Sequence, residues 1–485
     1  MKIFLAILVM VFSTVFPASV ASASVNNYNP SQNQIQRFDT SGNAIDAYDG
    51  KIEKFNGIYY LYGTSYSCGY QLMVASSPFC GFKSYSSSDL VNWTDKGLLF
   101  SPVSWQSNCV NGKYGCYRPH VLFNAATGKY VLWFNSYDNA SGFHVLTSSS
   151  PTSGFVETTT VTSPLGDYGY DGPYQNGDFD LFQDSDGSAY IAYTTRLVSD
   201  ITLPNHILRI QKLNSSFTDG VGPLIDADTN GGVEAPSLTK RGNTYYLVYG
   251  PECAYCGHTP TVYQSTTDIT QWSGARTEIS SDSCGGQSSF VSKVGSDYIY
   301  GSDLWATYND PNITTNQSLA NYFWKKLSFT NNSIDPIGCE GQVGQSVVLW
   351  KNWCDITTHF SRAQVFVAPI TGKMSSFSVA MFGMGNTVPA TFQIFNTVNG
   401  IPSGRALATY SKVIDNWSVR NVKIPLATYL TKSKTYAIVI TNNSSSCYGW
   451  TYKDSSVGIN SYEMYLMGNT WRKELNRNLK FSINF

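Results

Sequence analysis

Short apolar runs, each led by a glycine, recur between residues 57 and 300. Every run is rich in aromatic and β-branched residues, and polar, turn-forming segments separate one run from the next. This region has no long segment of helical periodicity, so the runs predict β-strands that follow tight turns. The copies are Gly57–Tyr62, Gly128–Trp133, Gly187–Tyr193, Gly242–Tyr249 and Gly295–Tyr300.

The spacing of these copies predicts the architecture. They start 71, 59, 55 and 53 residues apart. A period of this length fits about four short strands with their loops, as in the blades of a propeller. We therefore expect an all-β chain in which a five-bladed β-propeller occupies residues 24–340.

The pattern changes after a connector that ends near Thr358. Thr391–Phe395 alternates polar and apolar residues, part of Thr435–Ile440 does the same, and Ile401–Gly404 is a predicted turn between them. Such alternation is typical of half-buried antiparallel strands. We expect a C-terminal β-sandwich over residues 355–485, serving as an accessory domain that could bind carbohydrate.

Three aromatic residues near the end of this expected sandwich allow two interpretations. They are Tyr448, Trp450 and Tyr452. A sugar-stacking platform is one interpretation, and packing in the sandwich core, the more common fate of such side chains, is the other.

The first residues have the pattern of a signal peptide. Lys2 precedes the apolar run Ile3–Phe16, and Ala21-Ser22-Ala23 fits a signal-peptidase site. We expect residues 1–23 to be removed and the mature protein to be secreted, without membrane association. An uncleaved anchor is the alternative, although the run is short for a bilayer span of about 20 residues.

Composition and charge restrict the class of partner. The chain has 40 Gly, 33 Tyr and only 13% charged residues, which favours strands and turns over helices. Its net charge of −1 argues against a nucleic-acid or anionic-membrane partner, because either normally requires a basic patch. We expect a monomer.

The cysteines and sequons suit an exported protein. Ten cysteines, an even number, indicate disulfides, with a zinc or redox pair at Cys253-Ala254-Tyr255-Cys256 as the alternative. Nine Asn-x-Ser/Thr sites predict a glycoprotein if the host glycosylates. The cysteines are Cys68, Cys80, Cys109, Cys116, Cys253, Cys256, Cys284, Cys339, Cys354 and Cys447.

Polar residues stand just ahead of the repeated strands. The innermost strand of each propeller blade points its end at the central channel, so such residues can meet although they lie far apart in sequence. A lone Asp in a loop is more often a turn or cap residue, and Asp184 and Asp186 fit a hairpin turn. Glu234 fits that role poorly because Glu is not a favoured turn former. The candidates are Asp46, Asp49, Tyr117, Arg118, His120, Asp178, Glu234, Gln287 and Asp303.

These residues carry a resemblance to glycoside hydrolase family 43, the five-bladed propeller glycosidases, over about residues 40–337. The segment Tyr48–Tyr60 resembles the first-blade motif of the family, which makes Asp49 the implied general base. Asp178 matches the residue that tunes the pKa of the acid, and Glu234 matches the general acid. Tyr48 and Gly50 replace the His and Pro of the motif, so Asp46 is the alternative base.

Other segments resemble the exo-β-1,3-galactanase branch of the family. That branch usually has Glu where this chain has Tyr117, which removes a carboxylate that contacts substrate. It also usually lacks the first-blade Asp, whereas Asp49 is present here. The matching segments are Arg118–Trp133, Glu234–Leu238, Gln287–Val291 and Tyr322–Phe329.

The resemblance implies a secreted glycosidase that inverts the anomeric configuration, acting on galactan-, arabinan- or xylan-type side chains. An inverting enzyme needs one acid and one base on opposite faces of the sugar. No cofactor or metal ligand is expected, although a structural calcium ion in the channel stays open. The alternatives are a lectin-like propeller that has lost catalysis and a structural or adhesion protein. The implied substrate-binding residues are Asp46, Tyr117, Arg118, His120, Gln287 and Asp303.

Overall fold

The computed structural model describes residues 24–26, 37–71, 74, 77–110, 115–163, 176–196, 206–305, 316–339, 352–444, 446–454, 461–474 and 476–485. The predicted signal peptide, residues 1–23, lies outside the described residues. Strands β1 to β37, numbered in chain order from β1 (Ser24–Asn26), make up almost all of the regular structure, so the all-β prediction is confirmed. In the described ranges the helical segments are α1 (Gln106–Cys109) and the 3₁₀ turns Pro102–Trp105, Ser283–Gly285 and Gln317–Leu319.

Five antiparallel sheets follow one another along residues 52–326. The first two contain β2 (Ile52–Phe55), β3 (Ile58–Thr64), β4 (Phe82–Ser87) and β5 (Thr94–Leu98), then β6 (Cys116–Asn124), β7 (Lys129–Ser136), β8 (Phe143–Ser148) and β9 (Val156–Thr159). The third contains β10 (Asn176–Gln183), β11 (Ala189–Arg196), β12 (His206–Leu213) and β13 (Gly220–Asp228). The fourth and fifth contain β14 (Val233–Arg241), β15 (Thr244–Pro251), β16 (Thr261–Thr266) and β17 (Thr277–Ser280), then β18 (Gln287–Val294), β19 (Asp297–Leu304) and β20 (Asn321–Lys326).

Each aromatic repeat forms the second strand of its sheet, and the candidate polar residues lie on or beside the strand before it, here called the first strand: β2, β6, β10, β14 or β18. Each first strand neighbours the next, and β18 neighbours β2. Tyr48, just before β2, stacks on Tyr322 of β20 with ring centroids 4.7 Å apart. These neighbours bring side chains of all five sheets together.

The first strands are irregular at the candidate residues. The pairing register shifts between Tyr117 and His120, between Asn176 and Phe179, between Glu234 and Ser237, and between Ser288 and Phe290. A bulge of this kind bends a strand and redirects one side chain, and bulges are common beside active sites. The same place in four sheets therefore presents a redirected side chain.

The C-terminal part contains two six-stranded sheets. One has the order β1-β37-β26-β32-β23 with β29 beside β26, and the other has the order β28-β27-β31-β24-β34-β35. The first contains β23 (Cys354–Ile356), β26 (Ser376–Phe382), β29 (Arg420–Ile424), β32 (Tyr448–Trp450) and β37 (Phe481–Asn484). The second contains β24 (Phe360–Val367), β27 (Ala390–Val398), β28 (Ile401–Lys412), β31 (Thr435–Asn442), β34 (Tyr462–Met467) and β35 (Thr470–Glu474). Two-strand pairs are β21 (Phe329–Thr330) with β22 (Ser333–Ile334), β25 (Gly372–Met374) with β30 (Thr428–Leu430) and β33 (Tyr452–Asp454) with β36 (Arg477–Leu479).

One apolar core joins the two six-stranded sheets, since Phe377 of β26 and Phe392 of β27 belong to the same buried cluster. Tyr448, Trp450 and Tyr452 are buried in that cluster as well. Their packing in the core is confirmed, and a stacking platform built from them is excluded.

The expected antiparallel pairing is confirmed, but the predicted turn is wrong. Phe392 of β27 lies opposite Ile440 of β31. Ile401–Gly404, predicted as a turn, is instead the start of β28. The turn lies at Asn399 and Gly400, whose φ values of 54° and 74° suit the two-residue hairpin turns that need positive φ twice.

The two parts of the chain touch through Trp417. Its backbone N–H donates to the carbonyl of Ser67 at 3.2 Å, and its carbonyl accepts from Asn316 Nδ2 at 2.9 Å. Its ring covers Gly69, where a Cβ would lie only 2.6 Å from Cε2 of the indole. Glycine is required there both by this approach and by its φ of 95°.

All ten cysteines are paired, which confirms the expected disulfides. The pairs are Cys68–Cys80, Cys109–Cys116, Cys253–Cys256, Cys284–Cys339 and Cys354–Cys447. Cys253 and Cys256, for which a metal or redox role was the alternative, therefore close a short loop.

No helix among the described residues is long and apolar enough to cross a bilayer.

Candidate active site

Asp180 lies at the centre of the first strands, fully buried. Its carboxylate accepts from Lys51 Nζ at 2.8 Å, from His120 Nδ1 at 2.9 Å and from the Leu238 N–H at 2.8 Å. Ser237 Oγ also donates to it at 3.0 Å and accepts from the backbone N–H of Val291. Residues of all five sheets are thus linked through one carboxylate.

Charge pairing keeps Asp180 ionised. Burial alone would raise the pKa of its carboxyl, but the charge of Lys51 and the hydrogen bond from His120 lower it to about 2. Burial lowers the pKa of His120, so its ring is neutral and carries the proton on Nδ1 that faces Asp180. His120, expected to bind substrate, is only 1% exposed and belongs to this network, although its Nε2 has no hydrogen-bond partner within the described part of the chain.

Asp49 lies just before β2 and is buried, with a positive φ of 52°. Its Oδ1 accepts from Thr64 Oγ1 at 2.7 Å, and its Oδ2 accepts from the Tyr66 hydroxyl at 2.9 Å. Its backbone N–H donates to Asp303 Oδ2 at 3.0 Å. Burial, opposed by the Thr64 hydrogen bond and by Arg118, raises the pKa of Asp49 to about 7.

The unusual first-blade motif has a steric explanation. A Cβ on Gly50 would lie 2.0 Å from the carbonyl oxygen of Tyr62, so only glycine fits at position 50. Tyr48 donates its hydroxyl to the carbonyl of Ala320 at 2.8 Å. The two departures from the family motif are thus accommodated by local packing.

Asp46 has different surroundings from Asp49. It is fully buried, its Oδ1 accepts from the Tyr66 N–H at 2.8 Å, and its Oδ2 accepts from Ser65 Oγ at 2.5 Å. Both oxygens therefore hold the chain that follows β3. This geometry favours a structural role over the predicted contact with substrate.

Arg118 connects two of the candidate carboxylates. Its backbone N–H donates to Asp49 Oδ1 at 3.3 Å, and its guanidinium Nε lies 2.8 Å from Asp178 Oδ1. The side chain is only 4% exposed, and its Nη1 has no hydrogen-bond partner among the described residues. Arg118 can thus offer a donor to a ligand while it remains paired with Asp178.

Glu234, on the bulge of β14, is the third candidate carboxylate and is 7% exposed. Gln287 Nε2 donates to its Oε1, and the Gln287 amide is oriented by Trp305 Nε1, which donates to Gln287 Oε1 at 2.7 Å. Burial, and after it the charge of Asp178, raises the pKa of Glu234 to about 8. A glutamic acid protonated at neutral pH can act as a proton donor.

Asp303 completes the polar part of the site. It pairs with Gln287 across β18 and β19, and burial raises its pKa to about 6. It orients the backbone of Asp49 through the hydrogen bond described above. The structure therefore brings Asp49, Arg118, Asp178, Glu234, Gln287 and Asp303 together and sets Asp46 and His120 apart from them.

Aromatic side chains surround these groups. Tyr117 stacks on Tyr70 with centroids 5.6 Å apart, and Tyr255 lies 4.6 Å from Trp305 and 6.4 Å from Tyr117. Sequence reasoning selected Tyr117 but missed Tyr66, Tyr255 and Trp305. The signal for Tyr255 was its position in the Cys253–Cys256 loop, and the other two lie at strand ends without a distinctive pattern.

The residues around Asp180 do not fit the calcium ion left open by the sequence. Calcium prefers six to eight oxygen ligands, whereas here the ammonium group of Lys51 already supplies the positive charge and the carboxylate oxygens are occupied. Among the described residues, the only cluster with metal-ligand spacing is Asp282, Cys284 and Cys339, and both of its sulfurs are joined in a disulfide. That catalysis requires no cofactor stays a prediction.

Asp49 and Glu234 are buried carboxyl groups with raised pKa values, and they come from different sheets. Such a pair can act as the base and the acid of a hydrolysis reaction. Residues 66–300, just under half of the chain, match the family model of glycosyl hydrolases family 43, a family of glycosidases. The resemblance noted in the sequence is therefore confirmed.

Similar proteins include two from Bacillus subtilis. An arabinoxylan arabinofuranohydrolase is 27% identical over 217 residues, 40% of this chain and 41% of the relative. An extracellular endo-α-(1→5)-L-arabinanase 1 is 28% identical over 179 residues, 35% of this chain and 51% of the relative. The chain thus matches about half, or less, of the length of these curated relatives.

One similar solved structure spans nearly the whole chain. It is the exo-β-1,3-galactanase from Phanerochaete chrysosporium with galactose, 18% identical, with a TM-score of 0.50. The match covers 93% of this chain and 100% of that one. This likeness concerns the fold.

Proposed function

We propose that this protein is a secreted glycoside hydrolase that cleaves side chains of plant polysaccharides with inversion of configuration. The observation that carries the proposal is the arrangement around Arg118, which contacts Asp49 through its backbone and Asp178 through its guanidinium, with Asp178 beside the strand of Glu234. Two carboxyl groups thus contact Arg118 directly, and the third belongs to the residue before Ala235, whose N–H binds Asp178.

In this proposal Glu234 protonates the leaving glycosidic oxygen. Burial and the charge of Asp178 keep it protonated near neutral pH, and the Gln287 amide, whose orientation Trp305 fixes, holds its Oε1. Asp49 accepts a proton from the attacking water. Inverting enzymes separate these two groups by about 6.5 to 9.5 Å to admit that water.

The remaining groups bind sugar or position the carboxylates. Arg118 Nη1 is a free donor within the described residues and is suited to a sugar hydroxyl. Tyr117, Tyr255 and Trp305 present rings that can pack on sugar faces. Asp303 positions Asp49.

The proposal includes the architecture. The five sheets are the blades of a five-bladed β-propeller within residues 24–340, supported by the neighbouring first strands and by the network at Asp180. The two six-stranded sheets form an accessory β-sandwich within residues 355–485, to which β1 adds its strand through pairing with β37. We propose a monomer.

The substrate is proposed at the level of class. The relatives are named for arabinoxylan and arabinan, and the segments around Arg118 and Gln287 resemble exo-β-1,3-galactanases. Galactan-, arabinan- and xylan-type side chains are therefore the candidates. Extracellular action agrees with the name of the arabinanase relative and with the N-terminal pattern.

The test is a screen of the purified protein against arabinan, xylan and β-1,3-galactan, with the anomer of the first product read by NMR before mutarotation. We expect hydrolysis of one of them with inverted configuration. Retention would contradict the assignment of Asp49 as a base, and binding without any turnover would establish the lectin-like alternative instead.

A further inference from the structure

The loop closed by the Cys253–Cys256 disulfide reaches each of the two carboxyl groups to which the proposed function assigns catalysis through one intervening side chain. On one side the Tyr255 and Tyr66 hydroxyls lie 2.7 Å apart, and Tyr66 in turn donates to Asp49. On the other side Cys253 contacts the side-chain amide of Gln287, which donates to Glu234.

The direction of the tyrosine hydrogen bonds follows from the charge of the base. An ionised carboxylate only accepts, so the Tyr66 hydroxyl must donate to Asp49. Its oxygen is then left to accept, and Tyr255 donates to Tyr66. A hydroxyl that accepts a hydrogen bond becomes a better donor, so Tyr255 strengthens the bond that stabilises the Asp49 carboxylate.

The loop has little freedom to move. Its disulfide joins residues three apart in sequence, and Cys253 Sγ lies 3.9 Å from Gln287 Nε2. The Tyr255 ring is half-buried and packs against Trp305 at 4.6 Å and edge-on against Tyr66 at 6.0 Å. The disulfide and the ring contacts therefore fix where the Tyr255 hydroxyl points and where Cys253 meets Gln287.

We propose that the Cys253–Cys256 loop is a positioning element for hydrolysis, in which Tyr255 orients the base through Tyr66 and Cys253 supports the Gln287 amide that holds the acid. The proposal rests on the proposed function, because it assigns Asp49 and Glu234 their roles. It adds Tyr255, Tyr66 and one disulfide to the machinery as residues that act through the carboxyl groups.

The first test is the pH profile of kcat/KM for Tyr255→Phe. Loss of the hydroxyl weakens the Tyr66 bond to the charged form of Asp49, so the acidic limb should move to higher pH by about half a unit to one unit. The alkaline limb, set by Glu234, should stay in place. Tyr298→Phe is the matched control, because the Tyr298 hydroxyl donates to the carbonyl of Lys240 away from these groups.

The second test removes the disulfide with C253A and C256A together. A loosened loop frees the Gln287 amide that donates to the charged form of Glu234 and weakens the Tyr255 contact with Tyr66. Both limbs should therefore move to higher pH, with kcat lowered about tenfold. The control is the double variant C354A and C447A, which removes a disulfide of the C-terminal sheet. Its two limbs should match those of the wild type.

These experiments separate failure of the loop proposal from failure of the proposed function. If the wild type hydrolyses no glycan, the proposed function is wrong, and NMR titration of the Asp49 and Glu234 carboxyl carbons still reports the shifts without turnover. Unchanged limbs and carboxyl titrations in Tyr255→Phe and in the Cys253 and Cys256 double variant would overturn the loop proposal. Equal shifts in the control variants would overturn it as well.

Discussion

Asp178 accepts a hydrogen bond at Oδ2 from the backbone N–H of Ala235, 3.2 Å away, so its carboxylate lies beside the residue that follows Glu234. Its charge is, after burial, the largest influence that raises the pKa of Glu234. In Asp178→Asn this pKa should fall, by about one unit or more. The alkaline limb of kcat/KM should then move to lower pH, and a limb that does not move would contradict the tuning role.

The wild type should have a bell-shaped pH profile. Activity requires Asp49 ionised and Glu234 protonated, and burial raises their pKa values to about 7 and about 8. The rate should therefore fall as pH drops through about 7 and again as pH rises through about 8. The apparent values belong to the coupled site. Initial rates in buffers of constant ionic strength measure both limbs, and a maximum near pH 5 would refute the assignment.

Removal of the proposed acid should depend on the leaving group. Glu234→Gln should lower kcat on a natural oligosaccharide by about 10²- to 10⁴-fold, the usual contribution of a positioned general acid. An aryl glycoside with a good leaving group needs less protonation and should lose less. Glu278→Gln, an exposed position on β17, is the matched control. Near-normal cleavage of the oligosaccharide by Glu234→Gln would exclude the role.

Variants of Asp49 and Asp46 should lose different properties, hydrolysis in the first case and thermal stability in the second. Asp49→Asn should abolish hydrolysis and leave the melting temperature nearly unchanged, because the amide oxygen can accept from Thr64 and the amide NH2 can donate to the Tyr66 hydroxyl. Asp46→Asn should lower the melting temperature, since both of its oxygens hold the chain at Ser65 and Tyr66. Thermal unfolding and kcat together make the comparison. An inactive but stable Asp46→Asn would exchange the two assignments.

The buried ion pair between Lys51 and Asp180 should show strong energetic coupling in a double-mutant cycle. Lys51→Met leaves the Asp180 carboxylate without its ammonium partner, and breaking a buried pair costs about 3–5 kcal/mol, which lowers the melting temperature by roughly 5 to 15 °C. Lys51→Met combined with Asp180→Asn should lose less than the sum of the single variants. Lys54→Met, at an exposed lysine of β2 close to Lys51 in sequence, is the control. Additive losses would contradict the coupling.

The pairing of Asp180 with Lys51 should also make the thermal stability of the protein sensitive to acid. The pKa of Asp180 is lowered to about 2, below that of an unfolded aspartate, so its contribution to stability is complete above about pH 4. That contribution is lost as pH falls towards about 2, where the carboxylate is protonated in the folded state. Melting temperatures of the wild type should drop over this interval, and the drop should be smaller in Asp180→Asn.

Periodicity and motifs located most of the site. The repeat predicted the strands, and the residues just ahead of it included Asp49, Arg118, Asp178, Glu234 and Gln287, which the fold brings together. The repeat locates site residues because the first strands of different sheets carry a bulge at the same place, and each bulge redirects an equivalent side chain. The prediction that Asp184 and Asp186 belong to a hairpin turn is also confirmed, because each accepts a hydrogen bond from a backbone N–H of that turn.

The remaining details depend on contacts that no local pattern records. Asp46 and Asp49 are only three residues apart in sequence. The fold around Tyr66 distinguishes them, because Asp46 accepts from the Tyr66 backbone N–H and Asp49 accepts from the Tyr66 hydroxyl. The role of Lys51 as the internal cation depends on Asp180, which is far away in sequence. The turn assigned to Ile401–Gly404 was wrong because Asn399 also adopts positive φ, which Asn tolerates but does not require.

The network at Asp180 has a consequence for how the protein folds. In linear repeat arrays each unit touches only its neighbours, and such arrays can unfold one unit at a time. Here Lys51 of the first sheet and Leu238 of the fourth share one carboxylate of the third, so units that are not adjacent in sequence depend on each other. Loss of any of these sheets exposes a buried charge. The five sheets should therefore melt as one cooperative unit, and a nick within one sheet should weaken them all.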